Sequence, residues 1–398
     1  MKPRDGTALR PPEVVLVSST LDDDGGIPVC VAHLAGGLSR LGLVVSITGQ
    51  YSRFVAPALV SPDYLSGVEV DAVRRSWTPQ GQAVAAVAVR NIVARRAIAA
   101  RQRGRQLVVH AHGVWVLPVI AAVAAARAAG CGVTVSPHGM LRRDALRKSP
   151  WRKQAALALA VRRMIANADT LHATSPDEAE ELERRFPGCH ARLLPLGIEP
   201  IAGVIRSERR PGAPRVAACL GRILPIKNLE SLLDAWKTVA PEGWRLVVAG
   251  PGDPDYVATL RGRCLSLGID HLVELRGSVA REELGDFLTG LDLFVLPSRS
   301  EAFSLVVGEA LSAGVPVVAS TAAPWQGVVD HGCGWWVEPT TAALAGALRV
   351  ATTIRSADLA AMGKRGAEWV RREYDWETIA ARHLTELYEP ALAAALLD

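Results

Sequence analysis

The stretch Leu293-Phe294-Val295-Leu296-Pro297-Ser298-Arg299-Ser300-Glu301-Ala302-Phe303-Ser304-Leu305-Val306-Val307-Gly308-Glu309 sets two carboxylates around an apolar run. Its first four residues read as a buried strand, and Pro297-Ser298 as the turn that ends it. The run after Glu301 reads as the start of a helix. In a strand–loop–helix unit of a parallel sheet, this order places Glu301 at the carboxyl edge and Glu309 on the following helix. Between them, around Phe303, Ser304 and Leu305, fall the unpaired backbone N–H groups of a helix N-terminus, which favour an anion. Two carboxylates for hydroxyl groups and a helix end for phosphate make one cradle.

The same unit repeats outward in both directions. Strands are expected at Val14–Ser18, Val44–Thr48, Leu107–His110, Val133–Ser136, Leu171–Thr174 and Arg192–Leu196. They restart at Arg215–Leu220, Arg245–Ala249, Leu272–Leu275, Leu293–Leu296, Val315–Ala319 and Trp335–Val337. Short apolar, β-branched runs alternating with helices argue for parallel sheets covered on both faces. Residues 197–214, with Pro200, Gly203, Pro211, Gly212 and Pro214, read as a linker. The expected fold class is therefore α/β, two doubly wound Rossmann-like domains facing across a cleft. Residues 1–204 form the first and 205–376 the second, and a helix at 377–398 packs back on the first. Ligands of such sheets sit beyond the carboxyl ends of the strands.

A chain of 398 residues suits two domains, and 49% apolar with 21% charged residues is a globular balance. Met1 to Pro12 does not read as a signal peptide, and Val114 to Ala126 is too short to span a bilayer. Six cysteines without a CxxC pair point to reduced, packed thiols and a cytoplasmic protein. Residues 1–197 hold 25 Lys/Arg against 15 Asp/Glu, while 198–398 hold 20 against 25. One basic cluster comprises Arg90, Arg95, Arg96, Arg101, Arg103 and Arg105. A second comprises Arg142, Arg143, Arg147, Lys148, Arg152, Lys153, Arg162 and Arg163. Two readings stand: solvated helix faces, or attraction to an anionic membrane surface or acidic acceptor. Nucleic acid is not expected, because no aromatic interleaving accompanies the charge.

Arg222 and Lys227 lie on the loop after the first strand of the second domain, where they could clamp a diphosphate or simply be solvated. Gly250-Pro251-Gly252-Asp253 after the next strand reads as a tight turn or a phosphate contact. Gly25 and Gly26 either let the backbone approach a ligand at a helix N-terminus or form a plain turn. His112 and His138 follow adjacent strands, where a histidine is either structural or faces a ligand. No metal site is expected, since no HxxxH or cysteine cluster is present.

Together these motifs resemble the retaining two-domain GT-B glycosyltransferases of family 4, the glycosyl transferases group 1. Glu301 and Glu309 match that family's E-x7-E signature, and Arg222 and Lys227 its diphosphate-binding pair five residues apart. Gly25 and Gly26 match its glycine loop, and His138 a histidine lining the sugar pocket. His110-Ala-His-Gly-Val-Trp115, Ser136-Pro-His-Gly-Met140 and Leu171-His-Ala-Thr-Ser175 are similar to bacterial surface-polysaccharide members. The chain departs from the pattern at Ser304, where Gly is frequent, and at Leu196-Gly197, where Asn-Gly is frequent.

The resemblance implies transfer of a sugar, with retention, from a nucleotide diphosphate to a hydroxyl of a glycan or lipid-linked, anionic acceptor. It implies no metal and no other cofactor, and peripheral contact with the inner membrane. Glu309 is expected on the ribose, the backbone of Gly277 and Val279 on the base, and Arg222, Lys227, Gly250, Ser304 and Leu305 on the diphosphate. Glu301 would orient the sugar and His138 would meet the anomeric centre. His112, Arg142 and Arg143 are expected on the acceptor side. An epimerase of the same fold would need an acid–base pair that the chain does not show. A non-catalytic nucleotide-sugar module remains the reading from another class.

Overall fold

The structure is a computed structural model that describes residues 10–21, 26–51, 65–147, 151, 155, 160–201 and 213–396. The expected linker lies largely outside the described residues, as does Gly25. The chain divides into two compact units, Met1–Gly197 with Trp376–Asp398, and Ile198–Asp375.

Among the described residues the first unit holds seven strands: β1 Glu13–Ser18, β2 Val44–Tyr51, β3 Val68–Arg74, β4 Leu107–His112, β5 Gly132–Ser136, β6 Thr170–Ala173 and β7 Ala191–Leu193. They pair in the order β3-β2-β1-β4-β5-β6-β7, every pair parallel. β1 and β4 are buried along their whole length, as continuous Val-rich runs require when helices cover both faces. Their ends register with one another, Ser18 opposite His112 and His112 opposite Ser136. The order reverses at β1, so the loops after β1 and β4 diverge there, at the switch point where such sheets hold ligands.

β3 was not among the expected strands. Its sequence, Val-Glu-Val-Asp-Ala-Val-Arg, alternates apolar and charged side chains from Val68 to Ala72 along a half-exposed edge. Glu69 and Asp71 on it pair with Arg96, at 2.6 and 2.7 Å, on the helix Pro79–Gln102. A search for uninterrupted apolar runs finds central strands and passes over such an edge. The expected strand at Arg192–Leu196 shortens to Ala191–Leu193, although Leu194 N–H still donates to Ala173 O at 3.0 Å.

The second unit contains β8 Arg215–Leu220, β9 Trp244–Ala249, β10 Val273–Gly277, β11 Leu293–Leu296, β12 Val317–Ser320 and β13 Gly334–Val337. They are ordered β10-β9-β8-β11-β12-β13 and again wholly parallel. Here the order reverses at β8, whose neighbours are β9 and β11. Two doubly wound Rossmann-like sheets are thus present.

From Trp376 the chain rejoins the first unit as Trp376–Arg382, a π-helical stretch His383–Tyr388, and Glu389–Ala395. Its indole stacks on His33 with ring centroids 5.5 Å apart, and Arg40 pairs with Glu377 at 2.7 Å. Gly197 is where glycine is needed, because a Cβ there would come within 2.3 Å of the Trp376 ring. The departure from Asn-Gly at Leu196-Gly197 therefore keeps the residue on which this packing depends. Gly197→Ala is expected to lower stability by about 1–3 kcal/mol through overpacking, read as a lower denaturant midpoint with an unchanged slope.

Candidate functional site

In the second unit, glycines end three neighbouring strands. Gly221 after β8, Gly250 after β9 and Gly277 at the end of β10 all have positive φ, at 143°, 136° and 82°. The tight-turn reading accounts for Gly250: its N–H donates to Gly277 O at 2.6 Å, and a Cβ on it would lie 1.9 Å from Gly221 O. Around Gly277 a Cβ would meet open space, and Val279 is half-buried.

Lys227 and Glu301 come together. Lys227 Nζ donates to Glu301 Oε1 at 2.6 Å, with both side chains mostly buried. One follows β8 and the other β11, which are neighbours in the sheet. Three further bonds stitch the loops beside the pair. Asn228, buried and in the left-handed conformation, donates from Nδ2 to Pro297 O at 3.0 Å and to Pro339 O at 2.9 Å. Arg299 N–H donates to Ile226 O at 2.9 Å. The ion pair is thereby held by backbone carbonyls on either side of it. Arg222 is exposed and makes no ion pair with a described residue.

The helix Leu305–Ser312 begins directly after Ser304, whose φ of 70° is left-handed and whose side chain does not cap the helix. That conformation explains why glycine is at home in this position and costs a serine of order 1 kcal/mol. Phe303 turns inward, with its ring 5.2 Å from that of Trp325 and its carbonyl accepting from Trp325 Nε1 at 2.7 Å. Its side chain therefore belongs to the core, so the contact expected around Phe303 falls to the backbone alone. Glu309 accepts from Arg281 Nη1 at 2.9 Å, and Arg281 also bonds Glu199. The bracket of carboxylates thus includes Arg281 and Glu199, which local sequence pattern did not single out.

In the first unit, His138 sits two residues past β5 with a φ of 53°, followed by Gly139 at 72°. This strained turn is pinned by Glu178, which is 2% exposed. Its Oε1 accepts from Gly139 N–H, and its Oε2 from Thr174 N–H at 2.9 Å and Thr174 Oγ1 at 2.8 Å. Glu178 stands in the first turn of the helix Pro176–Arg185, capped by Ser175, where a glutamate ordinarily turns back on its own cap. Instead it crosses to the neighbouring loop. Pro176 and the Ser-x-x-Glu spacing mark the helix start in the sequence, but nothing local signals the partner at Gly139.

His138 and His112 meet, Nε2 to Nδ1 at 2.9 Å, with rings stacked 5.2 Å apart. His112 is only 2% exposed, so the direct acceptor-side role expected of it gives way to a place against His138. Arg142 lies 3.6 Å from Asp177, and Arg143 is exposed. Gly26 opens the helix Gly26–Arg40. Lys148, Arg152 and Lys153 of the second basic cluster lie outside the described residues. In the first cluster, Arg96 is held by Glu69 and Asp71, Arg103 by Glu13 at 2.6 Å, and Arg101 donates to Ala129 O at 2.9 Å. Those arginines serve the fold, while Arg90 and Arg95 remain exposed.

Beneath the His112–His138 pair runs a chain of buried hydrogen bonds whose direction can be deduced. His172 Nε2 lies 2.8 Å from Leu194 O, which only accepts, so Nε2 carries the hydrogen. Burial lowers the His172 pKa and keeps the ring neutral, which leaves Nδ1 as an acceptor for Ser136 Oγ at 2.6 Å. Ser136 Oγ, its hydrogen spent, accepts from His110 Nε2 at 2.6 Å. His110 Nδ1 then accepts from the Tyr388 hydroxyl at 2.9 Å. Burial holds His110 well below the ordinary histidine value and Tyr388 well above the ordinary tyrosine value, so neither ionises near neutrality. One backbone carbonyl thus sets the proton positions of four side chains.

The profile of the Glycosyl transferases group 1 family matches residues 204–369, and that of the Glycosyl transferase 4-like domain matches residues 25–197. The chain is a glycosyltransferase. A D-inositol 3-phosphate glycosyltransferase of Thermobispora bispora is 28% identical to it over 93% of this chain and 91% of its own. A GDP-mannose-dependent alpha-(1-6)-phosphatidylinositol monomannoside mannosyltransferase of Mycobacterium tuberculosis is 30% identical over 49% of this chain and 55% of its own. Among solved structures, sucrose-phosphate synthase from Thermosynechococcus elongatus superposes with a TM-score of 0.71 at 22% identity, covering 96% of this glycosyltransferase and 100% of that chain. Anabaena HepE in complex with UDP and glucose gives 0.70 at 18% identity, covering 95% and 100%. Among the described residues no helix is long and apolar enough to cross a membrane.

The buried histidines give the glycosyltransferase an acid limit. Burial lowers His110, His112, His172 and His383, and brings His138 down to about 3. The free value is about 6.5, so as pH falls through it the unfolded chain takes up protons that the folded chain refuses. Their stabilisation is whole above that value and declines toward the folded values, by up to about 1.4 kcal/mol per histidine per pH unit. Unfolding followed by denaturant at pH 8.5, 7.5, 5.5 and 4.5 should show stability flat between the first two and falling through the others. In Tyr388→Phe, which leaves His110 Nδ1 without its donor, about 1–3 kcal/mol should be lost at pH 7.5.

Proposed function

We propose that this glycosyltransferase moves a hexosyl group from a nucleotide diphosphate sugar to a hydroxyl of a phosphate-bearing glycan or lipid-linked acceptor, with retention at the anomeric carbon. The observation that carries the reading is the Lys227–Glu301 pair at the carboxyl ends of β8 and β11, one strand connection away from the helix bearing Glu309. A cation and an anion held at fixed separation suit a substrate whose diphosphate adjoins a sugar. Lys227 exchanges Glu301 for the diphosphate, and Glu301 then takes the sugar hydroxyls. Arg222, exposed on the same loop, and the N–H groups at Ser304 and Leu305 add positive character at the leaving group. Glu309, steadied by Arg281, receives the ribose hydroxyls, and the backbone at Gly277 and Val279 meets the base.

In this mechanism the fixed positive groups take the charge that develops on the departing diphosphate. Loss of one such donor typically costs ~2.7–4 kcal/mol in the transition state. His138 hydrogen-bonds the transferred sugar. Attack proceeds on the face from which the diphosphate leaves, assisted by its oxygen, and no carboxylate nucleophile is used. The inositol phosphate and phosphatidylinositol mannoside in the relatives' names support an anionic acceptor. So does the helix Pro79–Gln102, which carries no Asp or Glu and exposes Val84, Val87, Arg90, Arg95 and Ile98, a face suited to an anionic membrane surface. A role in building surface polysaccharide or lipid-linked glycan fits that chemistry.

A thermal-shift series with UDP, GDP, ADP and their sugars tests the donor assignment. The matching nucleotide at 100 times its dissociation constant should add ~2.7 kcal/mol of stability. Lys227→Ala should abolish this shift, measured against its own ligand-free midpoint, because the variant also leaves Glu301 unpaired and starts lower. A full shift in Lys227→Ala would overturn the clamp. Retention is checked separately by following the product anomeric proton by NMR from the first turnover. An inverted product, or a glycosyl adduct trapped on Glu301, would overturn front-face attack.

A further inference from the structure

We propose that His112 is a positioning residue that fixes His138 as the tautomer with its hydrogen on Nδ1, so that His138 meets the substrate as a hydrogen-bond donor. The pair lies at the ends of β4 and β5, where His112 Nδ1 and His138 Nε2 are 2.9 Å apart. Both rings are neutral, so one hydrogen is shared between the facing nitrogens and two arrangements are available. In the first, His112 Nδ1–H donates to His138 Nε2. In the second, His138 Nε2–H donates to His112 Nδ1.

The far nitrogen of His112 decides between them. Nε2 is buried and has no hydrogen-bond partner among the described residues. The second arrangement would put a hydrogen there with nothing to receive it. Buried N–H groups without an acceptor are rarer in proteins than acceptors that lack a donor. The first arrangement leaves only a lone pair unpaired and is the favoured one. His138, accepting at Nε2 and neutral, then carries its hydrogen on Nδ1 and offers it outward to a substrate oxygen. The adjacent network works by the same logic, since Leu194 O fixes His172 and, through Ser136, His110. Here the burial of His112 takes the part of that carbonyl. The left-handed turn at His138, pinned through Gly139 by Glu178, sets where the donor points.

The consequence for the reaction is specific. A ring presenting N–H can stabilise a sugar oxygen but cannot accept a proton at that atom, so His138 is not the base that activates the acceptor. The proposal rests on the glycosyl-transfer reading of His138.

The test is 15N NMR of histidine-labelled enzyme near neutral pH, without substrate, with the His138 signals assigned through His138→Asn. The expected result is a protonated Nδ1 and an unprotonated Nε2 on His138. A hydrogen on Nε2 would overturn the proposal without any variant of His112 being needed. In His112→Leu the His138 ring should become a mixture of tautomers. Its kcat should fall by about 10- to 100-fold, as for lost supports of catalytic groups, with KM changed less than about threefold. His112→Asn, whose amide nitrogen can donate from the place of Nδ1, should restore the single tautomer and most of kcat. Loss of kcat in both variants with the tautomer unchanged would reduce His112 to a packing role and overturn the proposal. An unchanged kcat in His138→Ala would remove the catalytic premise, while the NMR result would still report the tautomer, so the two failures are distinguishable.

Discussion

Parallel pairing is the constraint on which the rest of this molecule depends. When neighbouring strands run the same way, every chain leaves its strand at one edge of the sheet, and chemistry-bearing side chains from distant sequence collect there. Each departure must also turn sharply to start a helix. The left-handed residues mark those turns: Gly113, His138, Gly139, Gly221, Gly250 and Gly277 all follow or end strands, and Ser304 precedes a helix after one. Where the turn is lined by glycine alone, backbone approaches backbone. Where a residue with a side chain occupies the left-handed position, as at His138, Asn228 and Ser304, the backbone carries strain that a glycine would not.

The two units solve the problem of a polar sheet edge differently. In the second, opposite charges cancel: Lys227 with Glu301, and Arg281 with both Glu199 and Glu309. In the first, neutral rings and hydroxyls are chained so that each hydrogen is committed. Direction in such a chain is inherited from its fixed end, so Leu194 O governs groups as far away as Tyr388. A cluster of five histidines could otherwise hold many proton arrangements of similar energy. The carbonyl removes that freedom for two of them, and the i−4 carbonyl of Ile379 does so for His383 at 2.8 Å.

Much of this was legible in the sequence, for reasons that also mark the limits. Central strands such as Val14–Ser18 and Leu293–Leu296 announce themselves because burial on both faces demands uninterrupted apolar residues. Lys227, Glu301 and Glu309 were legible because a βα loop places residues by spacing alone. β3 was not, since an edge strand needs only alternate apolar residues and its Glu69 and Asp71 look like loop. Glu178, Tyr388, Arg281 and Asn228 were hidden for another reason. Their significance lies in partners that follow from tertiary approach: Gly139 is 39 residues from Glu178, and His110 is 278 from Tyr388. Periodicity carries no record of such distances.

The return of the chain at Trp376 makes the second unit an insertion within the first, and the order of synthesis gives this topology a temporal meaning. Gly197 emerges long before the indole that rests on it, and His110 before the tyrosine that supplies its hydrogen. At 5–20 residues per second, the ribosome needs roughly 10–40 s to travel from Gly197 to Tyr388. Over that interval the amino-terminal sheet is a nascent body with one side of its histidine chain undocked. The inserted unit, whose strands are contiguous in sequence, has all its parts to hand first, so the segment translated second can finish folding before the one translated first.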